Sequence, residues 1–295
     1  MSMHSTDIKV SCTDFRSVAR ALTIVENDLQ GADNLLKNLR FDTHTPIIGI
    51  TGPPGAGKST LVNGIIDELV KTGSKIAVLA IDPTSPFNFG SLLGDRIRMS
   101  SHFNHPDVFI RSLATRGSLG GLSAKTIEMA DVLRGAGFDY VLIETVGVGQ
   151  SEIEIAGLAD ITFVVLVPES GDEIQNIKSG LMEIADAFII NKADRADADL
   201  FVNNLKKIIQ QKGDEHLPVL KTIASQGTGI NEVIDFIKTS PGIKNKCKEF
   251  LLAEKAYKII QQKRMANVDK GKLQKDIAKA VNEPGFNLYV FLGEY

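Results

Sequence analysis

The sequence predicts an α/β fold with a mostly parallel β-sheet, helices on both faces of the sheet, and helical extensions at the N- and C-terminal ends. From Pro46 onward, short apolar runs alternate with helical stretches, which is typical of βαβ units. Runs such as "ITFVVLV" are apolar at consecutive positions, which indicates strands covered on both sides. Ligands of such sheets bind beyond the carboxyl ends of the strands, so polar motifs that follow the runs are the candidate functional residues.

Three segments are predicted: an N-terminal helical extension (1–45), an α/β domain (46–240) and a C-terminal helical arm (241–295). In the first, apolar residues recur at helical spacing over 14–40, with Gly31 between two helices. The predicted strands are, in order, IIGIT, KIAVLAID, DVFIRSL, DYVLIET, ITFVVLV, AFIIN and PVLKTIA. Helical patterns lie between most of them, around 58–72, 123–135, 173–185 and 199–212.

The lysine-rich C-terminal arm allows two interpretations. Its apolar residues can form one helical stripe, which either packs on its own domain or pairs two chains. The members of this stripe are Phe250, Leu251, Ala256, Tyr257 and Ile260. The charge run itself indicates a solvated helix face rather than a nucleic-acid patch.

Bulk composition excludes several classes of function. A formal net charge of −3 gives no basic field for nucleic acid, and no run of about 18 apolar residues marks a membrane span. Cys12 and Cys247 form no C-x-x-C pair, which fits a reducing compartment. We therefore expect a cytoplasmic protein that has neither nucleic acid nor a membrane as its partner.

The stretch "GPPGAGKST" matches the phosphate-binding loop pattern G-x-x-x-x-G-K-[ST] between a predicted strand and a predicted helix. Its glycines let backbone N–H groups converge on phosphate oxygens, and the helix N-terminus adds partial positive charge. Lys58 is expected to reach the terminal phosphates, and the Ser59 hydroxyl to ligate Mg²⁺. The sequence therefore predicts a P-loop NTPase. The predicted nucleotide contacts in this loop are Gly52, Pro53, Pro54, Gly55, Ala56, Gly57, Lys58, Ser59 and Thr60.

Three acidic residues are candidates for Mg²⁺ binding and catalysis. Asp82 ends the second strand, Asp95 lies in "GSLLGDRIRMS", and Glu144 ends the run "DYVLIE". A carboxylate at the end of a strand can hold a metal or its waters, and Glu144 can also accept a proton from an attacking water. The structural alternatives are a turn-forming Asp-Pro for Asp82 and an ion pair with Arg96 or Arg98 for Asp95.

The residues after Glu144 predict slow hydrolysis. Gly147 can donate its backbone N–H to the γ-phosphate, whereas Val148, at a position where a water-orienting glutamine often lies, cannot orient water. Gln150 is the alternative helper. A capping-box pattern at 151–154 indicates a helix start, so the segment is a candidate to order or shift with the γ-phosphate.

The base reader is predicted in "NKAD", directly after the strand "AFIIN". An Asp194 carboxylate buried against the base can accept from both the ring N–H and the exocyclic amine of guanine, a donor pair that adenine lacks. Asn191 serves the guanine carbonyl edge or ties loops together, and Lys192 can lie flat over the base. After the last strand, backbone N–H groups can complete the guanine contact, or the stretch is a plain loop. Its residues are Ala224, Ser225 and Gln226.

These motifs, together with "TRGSLGG", "ETVGVGQSE" and "GDEIQNIKSG", resemble those of the MeaB/ArgK group of P-loop GTPases, which are associated with methylmalonyl-CoA mutase. The resemblance runs from about residue 14 to about residue 240. It implies a chaperone that binds GTP and GDP with Mg²⁺, hydrolyses GTP, and gates cofactor loading and protection of an adenosylcobalamin-dependent acyl-CoA mutase. It also implies a homodimer whose pairing the terminal helices assist.

The resemblance assigns roles to individual residues. It implies that Asp82, Asp95 and Glu144 are the Mg²⁺-binding and catalytic carboxylates. Segment 170–180 resembles a third switch loop that senses the partner, with Lys178 moving toward the nucleotide when the mutase binds. A solvated helix lysine is the structural alternative for Lys178. The order Ala-Ser at 224–225 departs from the Ser-Ala that the group leads us to expect.

Two other functions are considered. A metallochaperone GTPase requires Cys and His ligands near the phosphate site, and the sequence shows no such cluster. His102 and His105 are the close pair, and we expect them to be surface loop residues. A small-molecule kinase is disfavoured by the guanine reader and by the lack of an evident acceptor-binding motif.

Overall fold

The structure is a computed structural model that describes residues 9–41, 45–82, 99–114, 124–145, 155–168, 179–211, 217–240, 248–265, 267–283 and 285–293. The chain divides into two compact units, Met1–Lys255 and Ala256–Tyr295. The segment boundaries after residues 45 and 240 remain predictions.

A seven-stranded parallel sheet forms the centre of the first unit. The strands are β1 (Ile47–Thr51), β2 (Ile76–Asp82), β3 (Val108–Ala114), β4 (Tyr140–Glu144), β5 (Ile161–Leu166), β6 (Ala187–Ile190) and β7 (Val219–Lys221). Their spatial order is β3-β2-β4-β1-β5-β6-β7, and the strand pairings in the described part are parallel. Each apolar run that predicts a strand forms one. The central strand β1 changes the direction in which the chain adds strands, and that position favours a ligand site at the carboxyl ends.

The helices are given in chain order by their bounds. They are α1 (Phe15–Glu26), α2 (Ala32–Lys37), α3 (Lys58–Lys71), α4 (Ala124–Gly135), α5 (Ser179–Ile184), α6 (Ala198–Gln211), α7 (Ile230–Thr239), α8 (Lys248–Arg264), α9 (Lys270–Ala280) and α10 (Leu288–Gly293). Short 3₁₀ turns lie at Ser100–His102, Ile155–Gly157 and Ala224–Gln226. The pattern predicted around 173–185 appears as α5, and residues 173–178 lie outside the described part.

Helices cover both faces of the sheet, as predicted. Ile48 and Ile50 of β1 pack with Leu61 and Ile65 of α3 in one buried cluster, which Val233 of α7 joins. A second cluster combines alternate residues of β5 and β6 with α6. Its members include Val164, Leu166, Phe188, Ile190, Phe201 and Leu205. Because successive strand residues face opposite sides, this double cover explains why the runs are apolar at consecutive positions instead of at alternate ones.

The N-terminal helix α1 is packed into the first unit. Its buried stripe is Val18, Ala21, Leu22 and Val25. The Phe15 ring lies 5.5 Å from the Phe109 ring and 6.1 Å from the Phe138 ring, measured between centroids. At the other end of α1, the Glu26 carboxylate accepts from Arg111 Nη2 of β3 at 2.6 Å. Aromatic burial and a half-buried ion pair therefore hold the two ends of α1 against the sheet.

Three aspartates repeat one capping arrangement at the N-terminal edge of the sheet. Each precedes a strand and accepts, through its Oδ2, from a backbone N–H at the start of the neighbouring strand. The contacts are Asp139 to Lys75 N at 2.7 Å, Asp160 to Ile47 N at 2.8 Å and Asp186 to Thr162 N at 2.7 Å. Burial raises the pKa of Asp186, and the Thr162 N–H partly opposes that shift. These caps fix the relative positions of neighbouring strands.

The second unit contains α9 and α10. Asp269 caps α9 through hydrogen bonds from Gly271 N at 2.7 Å and Lys272 N at 3.0 Å. Neither helix has a buried residue, and Tyr289 of α10 is 85% exposed. In the ranges that the structure describes, no helix combines the length and apolar character that a bilayer crossing requires.

Candidate functional site

The phosphate loop spans residues 52–57 and joins β1 directly to α3. Gly52 has φ +138°, and a Cβ there would lie 2.1 Å from the backbone oxygen of Val165. Gly57 has φ +85°, and a Cβ there would lie 2.4 Å from Asn191 Nδ2. Both positions therefore require glycine on conformational and steric grounds, in agreement with the sequence motif.

The loop curls around the ammonium group of Lys58. Lys58 Nζ donates to the carbonyl oxygens of Gly52 at 2.8 Å and Pro53 at 3.0 Å, and the residue is 6% exposed. Ser59, at the first turn of α3, is 4% exposed, and Thr60 is exposed. A buried cation beside a helix N-terminus gives this loop the electrostatic character of an anion site.

A carboxylate from β4 meets the first turn of α3. Glu144 is 7% exposed, and its Oε1 accepts from the Ser59 hydroxyl at 2.7 Å. In the parallel register of β1 and β4, Ile50 lies opposite Glu144. The Glu144 carboxylate therefore lies at the edge of the sheet where the phosphate loop begins. A carboxylate and a hydroxyl oxygen are ligands that Mg²⁺ accepts, and this donor set fits the predicted metal. At the same sheet edge, Asp82 is the last residue of β2, next to β4; its side chain lies outside the description.

Asn191 connects three loops through both ends of its side-chain amide. Its Nδ2 donates to Ala56 O at 2.9 Å, and its Oδ1 accepts from Thr222 Oγ1 and from Ala224 N, each at 3.1 Å. Asn191 is 3% exposed. The sequence left two roles for Asn191, contact with the guanine carbonyl edge and connection of loops. These hydrogen bonds show the connection of loops. The amide joins the phosphate loop to both loops of the predicted base reader.

The predicted base-reading loop turns outward after Asn191. Lys192 adopts the left-handed conformation with φ +56°, and the backbone N–H of Ala193 donates to Thr222 O at 3.0 Å. Asp194 follows in a turn and is exposed, and its burial against a guanine base stays a prediction. Ala224 is 8% exposed and begins a 3₁₀ turn in which Ser225 and Gln226 are exposed.

Several predicted site residues lie outside the described residues. These are Asp95, Gly147, Lys178, Val148 and Gln150, together with the capping box at 151–154 and positions 170–178 of the predicted switch loop. Their roles remain predictions.

Two features of the site, the Thr51–Thr145 contact and the buried Thr222, were not predicted from the sequence. Thr145 Oγ1 donates to Thr51 Oγ1 at 2.9 Å, and the two residues are 1% and 0% exposed. Thr222, which supports Asn191, is also buried. The available signal is adjacency, because Thr51 precedes Gly52 and Thr145 follows Glu144.

The expectation that His102 lies in a surface loop is wrong. His102 is 6% exposed in the 3₁₀ turn Ser100–His102, with its Nε2 lying 3.5 Å from Asp67 Oδ1 of α3. Burial lowers the pKa of His102, Asp67 opposes that shift, and His105 adds to it. The 3₁₀ turn rotates the imidazole inward, which the sequence pattern does not reveal. No group of three or more His, Cys, Asp or Glu side chains that could hold a metal ion occurs within the described ranges.

Comparison with known proteins identifies the family. The profile of the family described as methylmalonyl-CoA mutase-associated GTPase MeaB matches residues 18–279. A putative GTPase of Pyrococcus abyssi is 50% identical over 232 residues, which cover 76% of this chain and 72% of that protein. The GTPase ArgK of Escherichia coli is 39% identical over 236 residues, covering 75% and 71%. The mouse methylmalonic aciduria type A homolog, a mitochondrial protein, is 40% identical over 200 residues, covering 65% and 48%.

Solved structures show the same fold. A crystal structure described as LAO/AO transport system kinase aligns over 100% of this chain and 98% of its own, with a TM-score of 0.65 and 24% identity. HypB from Helicobacter pylori, in complex with nickel, aligns over 75% and 94%, with a TM-score of 0.51 and 18% identity. At these identities the likeness concerns the fold. The profile match and the relatives together show that the chain belongs to the MeaB/ArgK family of P-loop GTPases.

Proposed function

We propose that this protein hydrolyses GTP at the 52–60 loop and uses the GTP cycle to gate cofactor loading and protection of an adenosylcobalamin-dependent acyl-CoA mutase. The observation that carries the GTP assignment is the Asn191 amide, which joins the phosphate loop to the base-reading loops. This tie suits a ligand with phosphates at one end and a base at the other. Family membership supports the mutase as partner.

Discrimination between bases is assigned to Asp194. Its carboxylate would accept from the ring N–H and the exocyclic amine of guanine, and an adenine nucleotide would leave those acceptor positions unmatched. Lys192 would lie over the base, and the backbone N–H groups at 224–226 would face the guanine carbonyl. Asp194 is exposed, so its carboxylate is accessible to a base, and a bound guanine would replace its solvent contacts.

Phosphate binding is assigned to the loop and to Lys58. The ammonium group lies within reach of the carbonyl oxygens of Gly52 and Pro53 at 2.8 and 3.0 Å, so phosphate oxygens would compete with those carbonyls for it. Ser59 and Glu144 would hold Mg²⁺, with Asp82 and Asp95 as further candidates. When bound, Mg²⁺ neutralises charge on the phosphate oxygens.

Hydrolysis requires a water oxygen to form a bond to the γ-phosphorus while the bond from that phosphorus to the β–γ bridging oxygen breaks. Glu144 is proposed to orient this water, directly or through another water, and to accept its proton. Val148 provides no hydrogen bond for the water, so turnover is expected to be slow without the partner. Lys178, or a residue of the mutase, is proposed to supply the additional positive charge.

The mutase assignment and the homodimer rest on the family. The family profile names methylmalonyl-CoA mutase, and the mouse relative is named for methylmalonic aciduria. We propose a mutase of that type as the client and a second copy of this chain as a partner, paired with the help of the C-terminal helices. In α8, Tyr257 and Ile260 are 63% and 50% exposed, which supports their availability for pairing.

The test is GTP turnover by the purified protein, alone and with a cobalamin-dependent methylmalonyl-CoA mutase, with ATP as the control substrate. Slow GTP turnover that rises when the mutase is added is expected, together with little ATP turnover. Glu144→Gln should lose most turnover in both conditions, because it removes the proposed proton acceptor, and Mg²⁺ should strengthen its GTP binding less than in the wild type, because it also removes a proposed Mg²⁺ ligand. Fast GTP turnover without any response to the mutase would refute the partner assignment.

A further inference from the structure

A pair of buried threonines joins the end of β1 to the end of β4. Thr145 Oγ1 donates to Thr51 Oγ1 at 2.9 Å across 94 residues of sequence. The residues are 1% and 0% exposed, so water does not compete for the hydroxyls. A buried hydroxyl is costly unless it is hydrogen-bonded, and the two groups therefore fix each other's position.

Packing alone gives no reason for hydroxyls at these positions. Valine has nearly the shape of threonine, and neighbouring positions of these strands already carry β-branched apolar residues such as Ile50 and Ile143. Replacing both partners of a buried hydrogen bond by apolar groups of the same shape can be nearly neutral for stability. The two hydroxyls are therefore explained by the directional hydrogen bond between them, which apolar side chains of the same shape could not form.

The location of the pair links it to the proposed metal ligands. Thr51 directly precedes Gly52, where the phosphate loop begins, and Thr145 directly follows Glu144. Thr145 N also donates to Ile50 O at 3.0 Å, so the β1–β4 ladder continues one residue beyond the Ile50–Glu144 pair.

The carboxylate and the hydroxyl pair lie on opposite faces of β4. Successive strand side chains alternate between faces, and Glu144 points toward α3, where Ser59 donates to it at 2.7 Å. Thr145 therefore projects to the other face, where it meets Thr51. The end of β4 is fixed from one face by the Glu144–Ser59 contact and from the other by the threonine pair.

We propose that the Thr51–Thr145 hydroxyl pair is a positioning element that holds Glu144 at Ser59 and so sets how strongly Mg²⁺ retains the bound nucleotide. The inference rests on the proposed function and adds two residues to it. Neither threonine is assigned a contact with nucleotide or metal. Loss of groups that orient metal ligands typically lowers metal affinity by about 10- to 100-fold.

The experiment measures release of a fluorescent GDP analogue across a Mg²⁺ titration and in EDTA. Thr145→Val and Thr51→Val should each raise the Mg²⁺ concentration for half-maximal slowing of release by about tenfold. Release in EDTA should stay within about twofold of the wild type, because the phosphate loop and base reader are unchanged. Thr145→Ser and Thr51→Ser keep a hydroxyl and should titrate like the wild type.

The double variant Thr51→Val/Thr145→Val separates a coupled pair from two independent residues. Because the hydroxyls act on each other, its shift should equal that of either single variant. Three outcomes would overturn the inference: a wild-type Mg²⁺ response in the valine variants, an equal shift in the serine variants, or a double variant whose shift is the product of both single shifts.

The behaviour of the wild-type protein distinguishes failure of the proposed function from failure of the threonine proposal. A wild-type protein that binds no GDP, or whose GDP release ignores Mg²⁺, would refute the proposed function and this inference with it. A wild-type protein that responds to Mg²⁺, beside valine variants that respond identically, would refute the threonine pair alone. Thermal melting of each variant confirms that the compared proteins are folded.

Discussion

Replacing Asn191 by alanine is expected to weaken binding of GTP and GDP alike and to lower stability. The change removes three hydrogen bonds, to Ala56 O, Thr222 Oγ1 and Ala224 N. These partners are 0%, 1% and 8% exposed, so water does not readily replace the lost amide. An orphaned buried polar group costs about 1–3 kcal/mol, and the two backbone partners together imply a loss of about 2–6 kcal/mol in the free energy of unfolding.

Part of that cost should appear in nucleotide binding, because the nucleotide must then order loops that Asn191 no longer joins. A share of about 1.4–2.8 kcal/mol corresponds to a 10- to 100-fold rise in Kd. Isothermal titration calorimetry with GDP and with a non-hydrolysable GTP analogue measures that rise, and denaturant unfolding measures the stability.

Thr222→Val is the matched control for Asn191→Ala. It removes one contact to Asn191 Oδ1 and leaves the tie to Ala56 in place, so its effect on Kd should stay within about threefold. Wild-type affinity in Asn191→Ala would refute the loop-tie argument. A loss confined to the GTP analogue would also refute it, because it would place the action of Asn191 at the γ-phosphate rather than between the loops.

Three further predictions concern glycine, aspartate and histidine. Gly52→Ala should lower the melting temperature far more than Gly55→Ala, because a Cβ at Gly52 meets Val165 O at 2.1 Å whereas nothing lies within 4 Å at Gly55. The raised pKa of Asp186 makes its ionised form unfavourable in the fold, so the contribution of Asp186 to stability falls as pH rises from 3.8 through the folded pKa. Asp186→Asn keeps an acceptor for Thr162 N and should therefore match or exceed wild-type stability at pH 7, while Asp186→Ala should fall below it. The lowered pKa of His102 means that the contribution of His102 to stability is fully present above pH 6.5 and is lost as pH falls through the folded pKa. In thermal melts, His102→Gln should therefore lose less stability than the wild type as pH falls below 6.5, and an equal loss would exclude His102 as its source.

The sheet was predictable because its strands carry a local signal. Each central strand is covered on both faces, so every position is buried and nearly all are apolar, as in Ile161–Leu166, where Thr162 is the exception. The phosphate loop was equally predictable, since the spacing of Gly52, Gly57 and Lys58 lies within one short stretch. Such features depend on neighbours in sequence, which is why pattern and spacing reveal them.

Features that depend on distant partners were not predictable. The choice between two roles for Asn191 is made by contacts 135, 31 and 33 residues away. Asp139 and Asp160 each look like an ordinary turn residue before a strand, and their capping role requires knowledge of which strand lies beside them. The burial of His102 depends on its packing near α3, and sequence periodicity contains no such information.

Nucleotide selectivity tests the central claim most directly. The claim is that the loops joined by Asn191 bind a guanine nucleotide, with Asp194 as the group that reads the base. Calorimetric titration of the protein with GDP and with ADP, both in the presence of Mg²⁺, should give a Kd at least about 100-fold lower for GDP. Asp194→Ala should remove most of that preference while leaving ADP binding unchanged. Equal affinities of the wild-type protein for GDP and ADP would contradict the account.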